Sequence, residues 1–356
     1  MYTFRRIQPT ESDWQQIESS CDSTVFHSRK WCDYLSRIGK KVVCFSVAED
    51  GEIIGYFVGV RKWVGVTMIC APMQGTGTYT QGLCFKMPIS GDKRVEIYKT
   101  MANWLFENHI ASYLQVDDWN LRSTYSDWVP TETWKDVLLE DHAVEYTVRV
   151  TLYLDTNKTE DELWSGLHYK SAKYSINKAN KLGLKVRFID KYEDIPRFSR
   201  VHSEHIKNVH QRHGTRPKLT ESRNRIQKLC ESLYPDRVLM AQVHGVDEEG
   251  KEQIMASSVF GYDKGECTYF TSGSYSQYLK KYCPNEIMLW EALKVIQGRG
   301  ASDLNFGGMN SYKLKYGCVY AYVPRLYFYK YGVVKDFEVF ALKLYHKLRH
   351  LIKSEK

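Results

Sequence analysis

Two lysines two residues apart, Lys313 and Lys315, follow the pair Gly307-Gly308 at the end of the short run Leu304-Asn305-Phe306. A Gly-Gly turn lets backbone come close to a ligand, and in an extended segment residues 313 and 315 share a side. Acyl transfer is the chemistry such cations suit. When an amine attacks an ester or thioester, charge builds on the carbonyl oxygen, and a fixed electropositive group beside it lowers the barrier. On that reading Lys313 is the candidate catalytic group and Lys315 a second binding cation. Taken alone, the residues equally allow two solvated lysines at the start of a strand, the commoner condition of lysine. Other chemistries find less to work with. His202, His205, His210 and His213 fall in one helical stretch, but 202 and 213 are about 16 Å apart along its axis and cannot share one ion. With no H-E-x-x-H and no close cysteine pair, no metal is expected. No Ser or Cys sits in a G-x-S-x-G elbow, so triad hydrolysis is not expected either, and no carboxylate is placed securely enough to be named a general base.

These groups belong to a chain of 356 residues, a length that suits two domains. Hydrophobic residues make up 43% and charged residues 26%, values of a folded globular protein that exclude bulk disorder and collagen-like or coiled-coil architectures. Apolar runs such as 42–45 and 68–71 fall far short of the roughly 18 residues that cross a bilayer. The opening MYTFRRIQPTESDW lacks the apolar core of a secretory signal, so a cytoplasmic location is expected. The nine cysteines are scattered and odd in number, which reads as reduced thiols and core filler. Fifty basic against 42 acidic residues give a formal charge of +8, and the excess is local: residues 156 to 235 hold 17 basic and 9 acidic side chains. Nucleic acid, a membrane face or an anionic substrate would suit such a stretch. The 26 tyrosines and 9 tryptophans suit a cleft that grips a flat, sugar-like or peptide-like ligand, or ordinary packing.

Strand, helix and strand signals occur in the same order twice, which points to a duplicated fold. In the first half, 2–7 alternates like a strand, 11–20 is a helix capped by Thr10, and 26–37 is a second helix. Strands at 41–48 and 53–64 flank the hairpin turn Glu49-Asp50-Gly51, and a strand at 67–71 is followed by a Gly- and Thr-rich loop over 74–82. A helix at 92–108 and a strand at 112–116 close the half. The second half opens with a strand at 146–154. One helix is expected over 159–182, with Thr159 and Glu162 as its capping box. A strand at 185–189, helices at 195–212 and 221–232, a meander at 238–244, 254–262 and 267–272, a helix at 285–297, and strands at 303–306 and 320–329 follow. Residues 335–356 form a basic amphipathic helix, with Phe337, Phe340, Leu344, Leu348 and Leu351 on one stripe. The predicted fold is α/β (α+β), with mixed central sheets and domains at 1–145 and 146–334. The strand near the boundary can serve both halves. Two helices, a three-strand meander, a helix and a closing strand pair is the element order of a GNAT acyltransferase domain, here in tandem.

Four ordered segments resemble the FemABX aminoacyltransferases and their BioF2-like relatives. They are Leu163-Trp164 with Lys173-Tyr174-Ser175-Ile176-Asn177-Lys178-Ala179-Asn180-Lys181-Leu182-Gly183-Leu184-Lys185-Val186; Gln211-Arg212-His213-Gly214; Pro284-Asn285 before Leu289-Trp290-Glu291-Ala292; and Leu304-Asn305-Phe306-Gly307-Gly308 before Tyr312-Lys313-Leu314-Lys315-Tyr316-Gly317. The first half is similar to the family only through Phe26-His27-Ser28, Trp31 and its element order. The resemblance implies two GNAT-like domains that build one site and transfer an acyl or aminoacyl group to a primary amine of a cell-wall (peptidoglycan) precursor carried on a nucleotide or lipid diphosphate. It implies that Lys313 is catalytic, that Arg212 contacts the diphosphate as a guanidinium fork can, and that Lys40 or Lys41 is the amino-terminal phosphate-binding lysine. Trp31 and Asn305 become substrate-binding positions by the same resemblance.

A CoA-dependent GNAT enzyme holds pyrophosphate on backbone amides at a helix start, in a Q/R-x-x-G-x-G/A segment. None precedes a suitable helix here, so no cofactor is expected and aminoacyl-tRNA is favoured over acyl-CoA as donor. An acyl-CoA or acyl-carrier N-acyltransferase is the alternative enzyme, and a non-catalytic RNA-binding protein the alternative of another class. Each basic residue near an anionic leaflet is worth about 1 kcal/mol, so the basic terminal helix would add at most peripheral contact with the inner membrane face. Its docking on the second domain is the first expectation.

Overall fold

The computed structural model describes residues 1–63, 67–70, 82–124, 144–263, 265–308 and 311–333. Most of the Gly- and Thr-rich loop, the residues leading to the expected domain boundary, and the terminal helix expected over 335–356 lie outside them. The first half runs β1 (Tyr2–Ile7), α1 (Glu11–Ser19), α2 (Arg29–Arg37), β2 (Lys41–Glu49), β3 (Glu52–Trp63), β4 (Thr67–Cys70), β5 (Leu83–Phe85), α3 (Gly91–Glu107), β6 (Tyr113–Asp117) and β7 (Ser123–Thr124). The second runs β8 (Val144–Asp155), α4 (Glu160–Gly166), α5 (Tyr174–Lys181), β9 (Lys185–Phe188), α6 (Ile195–Arg212), α7 (Arg223–Leu233), β10 (Val238–Val246), β11 (Glu252–Tyr262), β12 (Glu266–Ser274), α8 (Ser276–Tyr282), α9 (Pro284–Gly298), β13 (Asp303–Asn305) and β14 (Val319–Tyr329).

Local chemistry sets several of these limits. The Thr10 hydroxyl accepts from the Asp13 amide at 3.2 Å while the Asp13 carboxylate takes the Thr10 amide at 2.8 Å, and Thr159 and Glu162 repeat the arrangement at the start of α4. Asp50 and Gly51, both left-handed, turn β2 into β3.

One sheet runs through the molecule in the order β1-β2-β3-β4-β6-β14-β8-β13-β12-β11-β10-β9, with β5 added to β3 and β7 to β14. Read inward from either edge it repeats itself. An edge strand and an antiparallel meander are followed by a helical crossover to a parallel strand, β4 to β6 on one side and β12 to β13 on the other. Between β6 and β13 lie β14 and β8, antiparallel from Val319↔Tyr153 to Phe328↔Val144. The last strand therefore borders the first half, and the strand that opens the second half borders β13.

Alternation places two cores on one face of the sheet. One lies under α3 with Leu114, Val116, Leu326 and Phe328, and the other under α4, α5 and α9 with Leu152, Leu154 and Leu304. The opposite face carries a core made by both halves, in which Phe26, Trp31, Tyr34 and Leu35 meet Ile206, Ile226, Leu229 and Phe270. Ion pairing follows this seam, since Arg37 of α2 reaches Glu231 of α7 at 2.5 Å and Lys228 donates to the Arg37 carbonyl at 3.1 Å.

The single helix expected over 159–182 is broken. After α4 the His168 amide donates to the carbonyl of distant Lys315 at 2.9 Å, and a π-helical turn over Tyr169–Lys173 leads into α5. The long-range bond replaces a local one, and π turns of this kind cluster at functional sites.

Candidate functional site

Strands β12 and β13 are paired only from Glu266↔Asp303 to Thr268↔Asn305. Beyond that rung β12 runs on to Ser274 while β13 stops, so the sheet is open between them. Phe306 and the left-handed Gly307 and Gly308 turn the chain across this gap, and a 3₁₀ turn over Ser311–Tyr316 follows.

Lys313 sits on that turn. Its Nζ donates to the Phe306 carbonyl at 2.6 Å and stands 4.6 Å from the centre of the Tyr269 ring and 5.6 Å from that of Phe306. Two donors of the ammonium remain for a ligand, because the group faces no carboxylate among the described residues. Burial lowers its pKa to about 8. The Cys318 thiol donates to the Lys313 carbonyl at 3.3 Å and pins the turn from below.

Asn305 is fully buried on the adjoining strand. Its Oδ1 accepts from the Thr151 hydroxyl at 3.0 Å and the Gly307 amide at 2.9 Å, and the Gly308 amide donates to the Thr151 oxygen at 3.1 Å. Its Nδ2, however, has no partner among the described residues. Across the gap Asn285, in the first turn of α9, donates to Ser274 Oγ at 3.3 Å and leaves its own buried Oδ1 unpaired. An unmet buried donor and an unmet buried acceptor flank the gap, each costing about 1–3 kcal/mol unless something fills it.

Lys315 behaves differently from the expectation of a second cation beside Lys313. The segment is a 3₁₀ turn rather than extended, so the two side chains diverge. Lys315 Nζ pairs with Glu286 Oε1 at 2.6 Å, 4.0 Å from the centre of the Tyr312 ring. Its charge is spent within the frame, where it ties the turn to α9. Trp31 is also at odds with a substrate-binding role. Its ring is 2% exposed and packs against Tyr34 at 5.0 Å, Phe26 at 5.2 Å and Phe270 at 5.9 Å, so it belongs to the shared core.

Strand direction places the remaining candidate cations toward the same strand ends as Lys313. β2 is parallel to β6 through β3 and β4, and Tyr329 at the end of β14 faces Tyr113 at the start of β6. Because β13 and β14 are both antiparallel to β8, the end of β13 that leads to Lys313 is the end where β2 begins with Lys41. Helix α6 finishes there too, its Asn208 accepting from the Ser276 amide at 2.8 Å just beyond β12. Lys40, Lys41 and Arg212 thus lie on the same side of the molecule as Lys313. Lys41 and Arg212 are exposed and Lys40 half-buried. Among the described residues neither lysine's ammonium has a hydrogen bond or ion pair, and the Arg212 guanidinium touches only His213, at 3.4 Å.

Tyr269, Glu286, Asn285 and Thr151 complete the site without having been singled out as site residues. Only the Pro284-Asn285 segment carried a sequence signal. The others reach the gap from strands and helices distant in the chain. Glu266, whose carboxyl is pushed up to about 8 by burial and by Asp303, is a tempting general base. It lies on the first β12–β13 rung, at the far end from Lys313. Among the described residues no group of acidic, His or Cys side chains could hold a metal ion.

Residues 168–316, which span the gap and Lys313, match the family model of the acetyltransferase (GNAT) domain. No curated protein matches the sequence. Among solved structures, FemX superposes with a TM-score of 0.67 at 13% identity, over 90% of this chain and 96% of that one. A tandem GNAT protein from the clavulanic acid biosynthesis pathway gives 0.51 at 10% identity, over 92% and 98%. L-PGS from Bacillus licheniformis gives 0.50 at 11% identity, over 91% and 93%. The chain has a tandem GNAT fold, and its second half carries a GNAT-type acyltransferase domain.

The fold raises the question of an acyl-CoA pyrophosphate at the crossover helix that leads from the fourth strand, β12, to β13, here α9 after the short α8. Its first residues do not fit one. Pro284 at the first helical position has no amide to give, and Glu286 puts a carboxylate, already paired with Lys315, where a pyrophosphate would need positive potential.

Proposed function

We propose that the protein transfers an aminoacyl group from an ester donor, such as aminoacyl-tRNA, to a primary amine on a diphosphate-bearing cell-envelope precursor. The observation that carries this reading is the Lys313 ammonium, half-buried at the β12–β13 gap and held by a single carbonyl. The neutral amine attacks the donor carbonyl, the C–N bond forms, and Lys313 stabilises the oxyanion through its free donors. Collapse of the intermediate breaks the ester C–O bond, and the amine's proton leaves with the departing alcohol or to water. Lys40, Lys41 and Arg212, at the same end of the sheet, take the acceptor's phosphates, and Asn305 and Asn285 offer an amide N–H and a carbonyl oxygen for orientation.

The test is a turnover assay with a nucleotide-linked muramoyl-pentapeptide acceptor and either charged tRNA or acyl-CoA. Product from charged tRNA that is lost in Lys313→Met supports the reading. Turnover with acyl-CoA alone would replace it with a CoA-dependent N-acyltransferase. Among the described residues no helix is long and apolar enough to cross a membrane, so a lipid-linked acceptor would be met from the membrane surface.

A further inference from the structure

We propose that the cleft between the edge strand β9 and the start of α6 binds a free amino acid, at a site separate from the acyl-transfer centre. The cleft arises from how α6 lies on the sheet. A Cβ on Gly273 of β12 would come within 2.7 Å of the His205 backbone, so glycine there lets the helix sit directly on the strand. His202 and His205 then both reach Ser257 of β11 at 2.7 Å. Seated over β11 and β12, the helix leaves a cleft beside the next positions across the sheet, Gln242 of β10 and its neighbour Arg187 of β9. The cleft is open to solvent on one side and has a volume of about 400 Å³.

Gln242 is the observation that calls for a ligand. It lines the cleft, is 5% exposed, and its side chain makes no hydrogen bond with any described residue. Its amide reaches the cleft with neither its donors nor its acceptor used by the described residues, and an occupant with both kinds of group would meet it.

The walls say which occupant. Arg187 lies 3.5 Å and His244 3.4 Å from the same carboxylate oxygen of Glu252, and this group is largely neutral within itself. Arg197, in the first turn of α6, has no ion pair among the described residues, and Asp190 and Asp194 line the cleft beside it. α6 has 18 residues and no side-chain cap at its start, so its positive end adds to Arg197. A simple anion would leave the two aspartates unmatched, and a simple cation would leave Arg197. A zwitterion satisfies both, with carboxylate on the guanidinium fork, ammonium toward Asp190 and Asp194, and the apolar part on Phe198 and Ile254. The whole length of α6, about 27 Å, separates this cleft from the end where Arg212 and Lys313 lie. The proposal is therefore independent of which donor and acceptor the transfer site uses.

Calorimetric titration of the full chain with each standard L-amino acid tests it, with acetate and ethylamine as single-charge probes. At least one amino acid is expected to bind, with acetate and ethylamine about tenfold weaker or worse. Arg197→Ala and Gln242→Leu should each weaken binding about tenfold, and Lys313→Met should leave it unchanged. Arg197 is exposed, so its variant reports even if Gln242→Leu disturbs folding. No heat with any amino acid, binding that survives Arg197→Ala, acetate binding as tightly as the amino acid, or binding lost with Lys313→Met would each overturn the proposal.

Discussion

At the matching point of the two halves, where a parallel strand leaves its partner, the molecule does opposite things. In the first half β6 runs on into Asp117-Asp118, and Asp118 takes Arg94 Nη1 at 3.1 Å and the Tyr98 hydroxyl at 2.7 Å. Arg94 comes from α3, the crossover helix of this half, and also pairs with Asp22 and donates to the Leu83 carbonyl at 3.2 Å. Arg94 is 3% exposed and Asp118 is fully buried. Burial alone would lower the arginine's pKa, and the two carboxylates more than offset that and raise it. In the second half the chain after β13 is Gly307-Gly308, the cation is Lys313 on a lone carbonyl, and two amide atoms beside it are unmet. A buried charge with all its partners is framework. One left partly satisfied keeps the capacity to bind.

The contrast predicts that equivalent-looking substitutions damage different properties. Arg94→Met leaves the buried Asp118 and the half-buried Asp22 without their cation, so stability should fall by about 3–5 kcal/mol in urea unfolding, while the folded remainder keeps its turnover number. Lys313→Met should do the reverse. Losing one electrostatic stabiliser should lower kcat by about 10²- to 10³-fold, with the acceptor KM nearly unchanged and stability equal or higher, since a half-buried ammonium has been removed. Arg94→Met that abolishes turnover at full stability, or Lys313→Met that unfolds the protein, would erase the distinction between the halves.

The pH dependence sharpens the same point. Burial holds Lys313 at about 8, and an oxyanion stabiliser works as the ammonium, so kcat should fall as pH rises through about 8. A rise through that pH would instead make Lys313 the base that takes the amine's proton. Stability runs the other way. The folded pKa of about 8 lies below the ordinary 10.5, so between these values the unfolded chain binds more protons and stability increases with pH. The slope is at most about 1.4 kcal/mol per pH unit. Below about 8 the cost of burying the charge is present in full. Lys313→Met should flatten both profiles, and a kcat decline above pH 8 that persists in this variant would assign the titration to another group.

How far the sequence carried differs between frame and site for a physical reason. Meanders, caps and the Asp50-Gly51 hairpin are local, and alternation, Thr10 and Thr159 announced them. The break at His168 was hidden because its amide is captured by Lys315, far along the chain. That same turn separates Lys313 from Lys315, which alternation had placed side by side. Aromatic content could not tell core from cleft, and Trp31 proves to be walled in by Phe270 from the other half. Arg94 with Asp118, Lys315 with Glu286, and β14 with β6 are all pairings that exist only once the crossovers have folded.

The smallest effects belong at the rim, where the halves contribute to one surface rather than to separate interiors. Lys41 and Arg212 are exposed and Lys40 half-buried, so a phosphate contact by any of them would be solvated and worth about 1 kcal/mol at most, below the effects expected at Arg94 and Lys313. Lys40→Ala, Lys41→Ala and Arg212→Ala should each raise the acceptor KM by about threefold to fivefold with kcat unchanged. The effect should fade toward 1 M salt, where the screening length is about 3 Å. Separate phosphate contacts make the effects multiply in the triple variant. An acceptor without its diphosphate should be insensitive to all three changes. If that truncated acceptor loses as much as the intact one, the cations steer or fold the protein rather than hold phosphate. A fall in kcat with Lys41→Ala would carry the division of labour further, because the first half would then act on the reacting atoms and not only on the acceptor's handle.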